Sequence, residues 1–231
     1  MVLADYFKEY DLDLTYIEDF EAFRKYLLEY NKITNITRIV DEDEFNVKHF
    51  LDSLSLFKTN IIKDGIKIID VGTGGGFPGL PIKLYKRDLD VTLLDSLKKR
   101  VVFLDSAITK LHLNGIRAIH SRAEELAVDE KHREQYDLVC SRAVANLSTL
   151  SEYCLPFAKI GGYFVAMKGP EYKEELSLAT KALKTLGGAV EDVKGISLPL
   201  DINHYLIVIK KIKQCPKKYP RQGGKPKSKP L

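Results

Sequence analysis

The sequence predicts an α/β fold: a doubly wound, mostly parallel sheet covered by helices on both faces and preceded by a helical extension. Two features carry that expectation. From Ile66 onward short apolar runs alternate with amphipathic stretches, the pattern of strand, crossover helix and parallel strand. Within it, Asp70-Val-Gly-Thr-Gly-Gly-Gly-Phe-Pro-Gly79 follows the apolar Ile66-Lys-Ile-Ile69 and leads into Leu80-Pro-Ile-Lys-Leu-Tyr85, which reads as strand, glycine loop and helix start.

The elements follow in chain order. Phe20, Phe23, Leu27 and Tyr30 recur at three- and four-residue spacing, and so do Phe45, Phe50, Leu54 and Phe57. They predict two amphipathic helices flanking the joint Asn31-Lys-Ile-Thr-Asn-Ile-Thr37. Strands are expected at 67–71, 90–94, 116–120, 136–141, 162–167, 189–197 and 204–212, and helices near 79–85, 97–113, 148–157 and 171–186. The last two strands are joined by Leu-Pro-Leu-Asp-Ile-Asn, too short for a crossover helix, and should form an antiparallel hairpin at the sheet edge. The division expected is a helical extension over 1–60 packed on the core, a sheet domain over 61–212 and a basic, flexible tail over 213–231.

The glycine loop sits where α/β folds bind nucleotide-type ligands. Glycines let the backbone turn and approach a ligand without a Cβ in the way, and the following helix offers unpaired amides. A dinucleotide fingerprint needs a third glycine at 77, where this chain has Phe77. The pattern is D-x-G-x-G-x-G, built on Asp70, Gly72, Gly74 and Gly76. A carboxylate two residues ahead of the first glycine suits S-adenosylmethionine, with its cationic sulfonium, better than a pyrophosphate. One strand on, Asp95 ends an apolar run at the separation where βαβ folds place a ribose-binding acid. Capping of the next helix is the competing role for Asp95.

Bulk properties narrow the class. A chain of 231 residues with 45% hydrophobic content can bury a real core. No apolar stretch reaches the roughly 20 residues of a membrane span, and acids near the N-terminus argue against a secretory signal, so a cytoplasmic location is expected. Cys140, Cys154 and Cys215 share no metal spacing; reduced thiols and no metal site are expected. The net charge of +4 is uneven: residues 1–212 hold 29 basic against 32 acidic side chains, and 213–231 hold seven basic and none acidic. Four prolines and two glycines in that tail predict no regular element, and its charge suits a polyanion.

Together, Val71-Gly-Thr-Gly-Gly-Gly-Phe-Pro-Gly-Leu-Pro81, Leu93-Leu-Asp-Ser96, Lys99-Arg100 with Phe103-Leu104, Ser121-Arg-Ala-Glu124, Ser141-Arg-Ala143 and Ala166-Met-Lys-Gly169 closely resemble the glucose-inhibited division protein B (RsmG) family. Asn31, Asn35-Ile-Thr37 and His49-Phe-Leu-Asp-Ser53 extend the resemblance ahead of the sheet. It covers nearly the whole chain; Tyr30 departs from it, standing where the family commonly has Trp. The resemblance implies a seven-stranded, Rossmann-like class I fold and S-adenosylmethionine-dependent methylation of N7 of a guanosine in 16S ribosomal RNA. The partner it implies is that RNA or the small subunit; a monomer is expected.

The same resemblance implies cofactor contacts at Gly72, Phe77, Ala123, Glu124 and Arg142. Glu124 lies just past the third expected strand, where strand-end crevices bind ligands, and Ala123 is small enough for an adenine ring to lie beside it. Guanine N7 carries a lone pair and no proton, so its methylation needs alignment and no general base. That leaves Arg142 and Lys168 as positioning candidates. His49 and Asp52, three apart on one helical face, are read as a polar pair packing the extension onto the cofactor mouth. Candidate RNA contacts are Arg38, Lys48, Lys98, Lys99, Arg100, Lys217, Lys218 and Arg221. Competing readings are another RNA or small-molecule methyltransferase of this fold, a nicotinamide-dependent oxidoreductase and a non-catalytic ribosome-assembly binder.

Overall fold

Apolar β-branched runs buried on both faces need helices above and below, and the chain supplies them in alternation. The computed structural model describes residues 2–142 and 145–231; Ala143 of the Ser-Arg-Ala motif lies outside these. Seven strands form one sheet: β1 (Lys67–Val71), β2 (Asp90–Asp95), β3 (Ile116–His120), β4 (Tyr136–Arg142), β5 (Ala158–Lys168), β6 (Gly188–Leu198) and β7 (Ile202–Lys211). Their order is β3-β2-β1-β4-β5-β7-β6. The first five pair in parallel, and the hairpin of β6 and β7 adds antiparallel to β5 through β7. The expected hairpin therefore forms, with β7 inside the sheet and β6 at its edge. Strand order reverses between β1 and β4, and the crevice beyond their carboxyl ends is where such sheets hold ligands.

The helices are α1 (Leu3–Glu9), α2 (Ile17–Asn31), α3 (Glu42–Phe45), α4 (Asp52–Leu54), α5 (Gly79–Tyr85), α6 (Lys98–Lys110), α7 (Ala123–Leu126), α8 (Leu147–Cys154), α9 (Tyr172–Leu186) and α10 (Lys225–Ser228). Between α3 and α4 the backbone widens into a π-helical turn, Asn46–Leu51. Helix α6 stops short of its expected end because His112 takes a left-handed φ of 51°, and α8 because the chain turns at Leu155-Pro156. Among the described residues no helix is long and apolar enough to cross a membrane.

Each face of the sheet carries its own apolar layer. On one, Phe7, Phe20, Phe23, Phe45 and Phe50 of the extension join Phe77 and Phe103 in a single buried cluster. The Phe23 ring lies 5.6 Å from Phe77 and 6.5 Å from Phe103, so the extension shares the core of the sheet. Burying an aromatic side chain contributes about 2–3 kcal/mol, and several do so across this seam. On the other face α8 and α9 cover β4, β5 and β7.

The segment 213–231, expected to be flexible and without a regular element, is instead docked on that second face and contains α10. Cys215, Tyr219, Pro220 and Pro226 face inward, while Lys217, Lys218, Lys225, Lys227 and Lys229 face solvent. Thr149 of α8 donates to the Pro226 carbonyl at 3.0 Å, and Arg133 donates to the carbonyls of Cys215 and Tyr219 at 2.9 Å each. Proline and glycine ruled out a long helix but not an extended strap, whose polar groups find partners on the domain.

Candidate active site

The glycine loop folds over the carboxyl end of β1 by satisfying its own backbone. Gly72 N and Thr73 N donate to the Leu94 carbonyl at 2.8 and 3.0 Å, while Gly76 N and Phe77 N donate to that of Thr73 at 3.0 and 2.9 Å. Gly72 has a φ of 76° and Gly76 one of 100°, which explains glycine at both. Gly74 N donates to Asp95 Oδ2 at 2.9 Å, and a Cβ on Gly74 would meet only open space. That space belongs to a cavity of about 490 Å³ bordered by Gly72, Gly74, Gly75, Phe77, Asp95 and Arg142. A second, of about 140 Å³, continues it over Gly72, Asp95, Ser96, Ala123, Glu124 and Tyr153.

Two expected cofactor contacts are corrected. Asp70 is fully buried beneath the loop, where its Oδ2 accepts from Thr73 Oγ1 at 2.6 Å and Gly79 N at 2.8 Å. Its Oδ1 has no partner among the described residues, and burial pushes the carboxyl up to about 6 against those two hydrogen bonds. Asp70 braces the turn from strand to helix and lines neither cavity. Gly76 is also absent from both linings; a Cβ there would meet Leu104 at 3.1 Å and Leu80 at 3.2 Å, so it permits packing of the loop.

Of the two roles weighed for Asp95, the structure shows the one at the helix entry, and it sets the carboxylate on the border of both cavities. Its Oδ1 accepts from Leu97 N at 2.8 Å, ordering the entry to α6, while its Oδ2 holds Gly74 N and, at 3.2 Å, Arg100. Arg100, expected on an RNA-facing surface, is thus drawn into the cleft. Lys98, Lys99 and Arg38 are exposed; Lys48 is half-buried and pairs with Glu44 at 2.6 Å. Lys217 and Lys218 are exposed, but Arg221 is bound to the buried Glu152 at 2.6 Å, which removes it as a free RNA contact.

Arg142, at the end of β4, connects the sheet to the extension. Its NH1 donates to the Lys48 carbonyl at 2.6 Å and to Asp52 Oδ2 at 2.7 Å, and its NH2 to His49 Nδ1 at 3.1 Å. Accepting there leaves the His49 proton on Nε2, which faces Thr37 Oγ1 at 2.9 Å. Burial and the adjacent guanidinium push His49 down to about 3, so its ring is neutral. That ring lies flat against Phe77, centroids 4.1 Å apart and planes 6° apart. Phe77 is therefore both a core residue and a wall of the cleft. Asp52 Oδ1 accepts from His204 Nδ1 at 2.6 Å; burial works to raise its carboxyl, but His204 and Arg142 outweigh it and hold it below the usual range. Among the described residues, His49 and Asp52 are joined by hydrogen bonds through Arg142 and not directly to each other.

Arg142 also borders a third cavity of about 380 Å³, with Lys48, Asp52, Lys168, Glu175 and His204. Lys168 is buried, donating to the Ala145 carbonyl at 2.5 Å and to Glu175 at 2.6 Å. Tyr153, Glu175 and His204 were not singled out in the sequence, because each reaches the site by tertiary packing, whereas Gly75, Thr37 and Ser96 lie inside the motifs quoted above.

An α/β sheet of this order, with a glycine loop and strand-end acids at its switch point, defines a Rossmann-like class I methyltransferase fold. Solved structures agree on the fold: a SAM-dependent methyltransferase from Aquifex aeolicus has a TM-score of 0.54 at 19% identity over 74% of this chain and 94% of that one. M. jannaschii TYW2 in complex with AdoMet gives 0.54 at 14% over 70% and 77%. Relatives named "Ribosomal RNA small subunit methyltransferase G" are closer in sequence. That of Alkaliphilus metalliredigens is 49% identical over 100% of this chain and 98% of its own length, and that of Thermoanaerobacter sp. 51% over 95% and 92%. The family model "GidB: rRNA small subunit methyltransferase G" matches residues 16–204, and the chain belongs to that family.

Proposed function

We propose that this chain transfers the methyl group of S-adenosylmethionine to N7 of a guanosine in 16S ribosomal RNA. The observation that carries the chemistry is the state of the groups around Arg142. Both ring nitrogens of His49 and both carboxylate oxygens of Asp52 are engaged, so they hold positions and are not free to take a proton. This suits an acceptor nitrogen that has no proton to lose.

The donor set suits the cofactor. Glu124 and Asp95 offer carboxylates to hydroxyl donors, the open side of Gly74 admits close approach, and Arg100 and Arg142 face a carboxylate. When bound, S-adenosylmethionine supplies the methyl group. Holding donor and acceptor in line is the task left to the protein, and such orientation can lower a barrier by up to about 7–11 kcal/mol. Arg142, fixed from three sides, borders both the cofactor cleft and the third cavity. Ionised Asp52 adds a fixed negative charge near an acceptor that becomes cationic. The test is transfer of radiolabelled methyl to small-subunit RNA, with the labelled nucleoside identified by mass. N7-methylguanosine is the expected product; label on another nucleoside, or none, overturns the reading.

A further inference from the structure

We propose that the third cavity receives the target base itself, splayed out of the RNA, and that Glu175 with Lys168 reads it as guanine; this rests on the guanine reading above. The cavity lies across Arg142 from the glycine loop, over the ends of β4 and β5, where Arg142 pairs in register with Met167, next to Lys168. Arg142 borders this cavity and the cofactor cleft alike, so the two adjoin at that side chain and a base seated here lies next to the cleft, the closeness that direct methyl transfer requires.

The polar groups are set in a particular order. Lys168 Nζ has three hydrogens and spends two, on the Ala145 carbonyl and on Glu175 Oε2. Glu175 Oε2 also accepts from Leu147 N at 2.7 Å, at the start of α8, which fixes the carboxylate. Its Oε1 has no partner among the described residues, and the side chain is 29% exposed. A free donor and a free acceptor thus stand side by side. Guanine presents the complement on its pairing edge: the O6 acceptor beside the N1–H and N2–H donors. Adenine presents a donor where O6 stands and an acceptor at N1, so the same pair repels it. With that edge on Lys168 and Glu175, N7 stays free on the adjoining edge beside O6. An extruded base read on this edge fits how single-stranded nucleotides are recognised.

The test is a two-by-two comparison on the full-length protein. Once the methylated position has been mapped with wild-type enzyme, RNA carrying a single inosine there is made; inosine keeps N7 and O6 but lacks the N2 amine. Wild type should lose about ten- to a hundredfold in kcat/KM on inosine RNA, the scale of a hydrogen bond to a charged group. Glu175→Gln should be slow on guanosine RNA and lose little further on inosine RNA, with S-adenosylmethionine affinity unchanged by calorimetry. Equal wild-type rates on the two RNAs overturn the proposal. So does a Glu175→Gln defect that leaves the full guanosine preference in place, since that marks a structural lesion at α8. No wild-type transfer to any RNA removes the functional reading and the base pocket with it.

Discussion

Arg221 and Glu152 form a two-pronged ion pair, Nε to Oε1 at 2.9 Å and NH2 to Oε2 at 2.6 Å, with the carboxylate fully buried. The adjacent Gln222 donates to the Glu124 carbonyl at 2.6 Å, and Tyr153, next to Glu152, lines the same cavity as Glu124. The C-terminal strap thereby touches the backbone of the cleft proposed to hold the cofactor. Arg221→Ala should destabilise the fold by about 3 kcal/mol, because it strands a buried charge. Adding Glu152→Gln should recover much of the loss. Denaturant melts of the three proteins check this; equal stability of wild type and Arg221→Ala would show that the pair contributes nothing.

Removing the strap after Ile212 should weaken cofactor binding, in contrast to what the positions of the motifs alone suggest. Truncation strips the Gln222 bond to Glu124, takes Cys215 and Tyr219 out of the second apolar layer and leaves the buried Glu152 without Arg221. Calorimetry with S-adenosylmethionine on the truncated and full-length proteins measures the effect, and unchanged affinity would rule it out.

Charge on the strap separates from its packing. Lys217, Lys218, Lys225 and Lys227 are all exposed, so replacing them with Gln should leave the melting curve in place. If they contact RNA, the slope of log affinity against log salt should fall by up to about 0.7 for each lost phosphate contact. An unchanged slope would assign RNA binding to the rest of the surface.

His49 gives an acid-limb signature. Its folded value of about 3 lies below the ordinary 6.5, so the unfolded chain binds a proton that the folded chain refuses. The neutral ring costs no stability above pH 6.5; stability is lost as pH falls from there toward 3, at up to about 1.4 kcal/mol per pH unit. His49→Asn, which keeps an acceptor for Arg142, should flatten this limb. Urea melts at pH 7.5 and 5.5 should show a smaller drop for the variant; parallel drops would place the lost stability elsewhere.

Arg142→Ala should reduce methyl transfer by about a hundredfold or more, the scale of a misplaced alignment. It should introduce no new ionisation into the pH–rate profile, since neither Asp52 nor neutral His49 acts as a base. A wild-type rate governed by a titrating base near neutrality, absent from the variant, would overturn the alignment mechanism.

Local sequence determined the strand, loop and helix around residues 67–85, because glycine at positive φ, an apolar run and a helix start all act within a few residues. It likewise determined the closing hairpin through the shortness of its linker, and it marked Gly72, Gly74, Phe77, Asp95, Ala123, Glu124 and Arg142, which the fold gathers around one cleft. Tertiary structure decided the rest. Asp52 meets Arg142 across 90 positions of chain, Arg221 meets Glu152 across 69, and Glu175 reaches Lys168 from another element. Whether a charged side chain faces water, braces a turn or closes an ion pair depends on what the fold brings opposite it. No periodicity encodes that, so Asp70 became a buried brace, Arg100 a cleft residue and the basic tail a fitted strap.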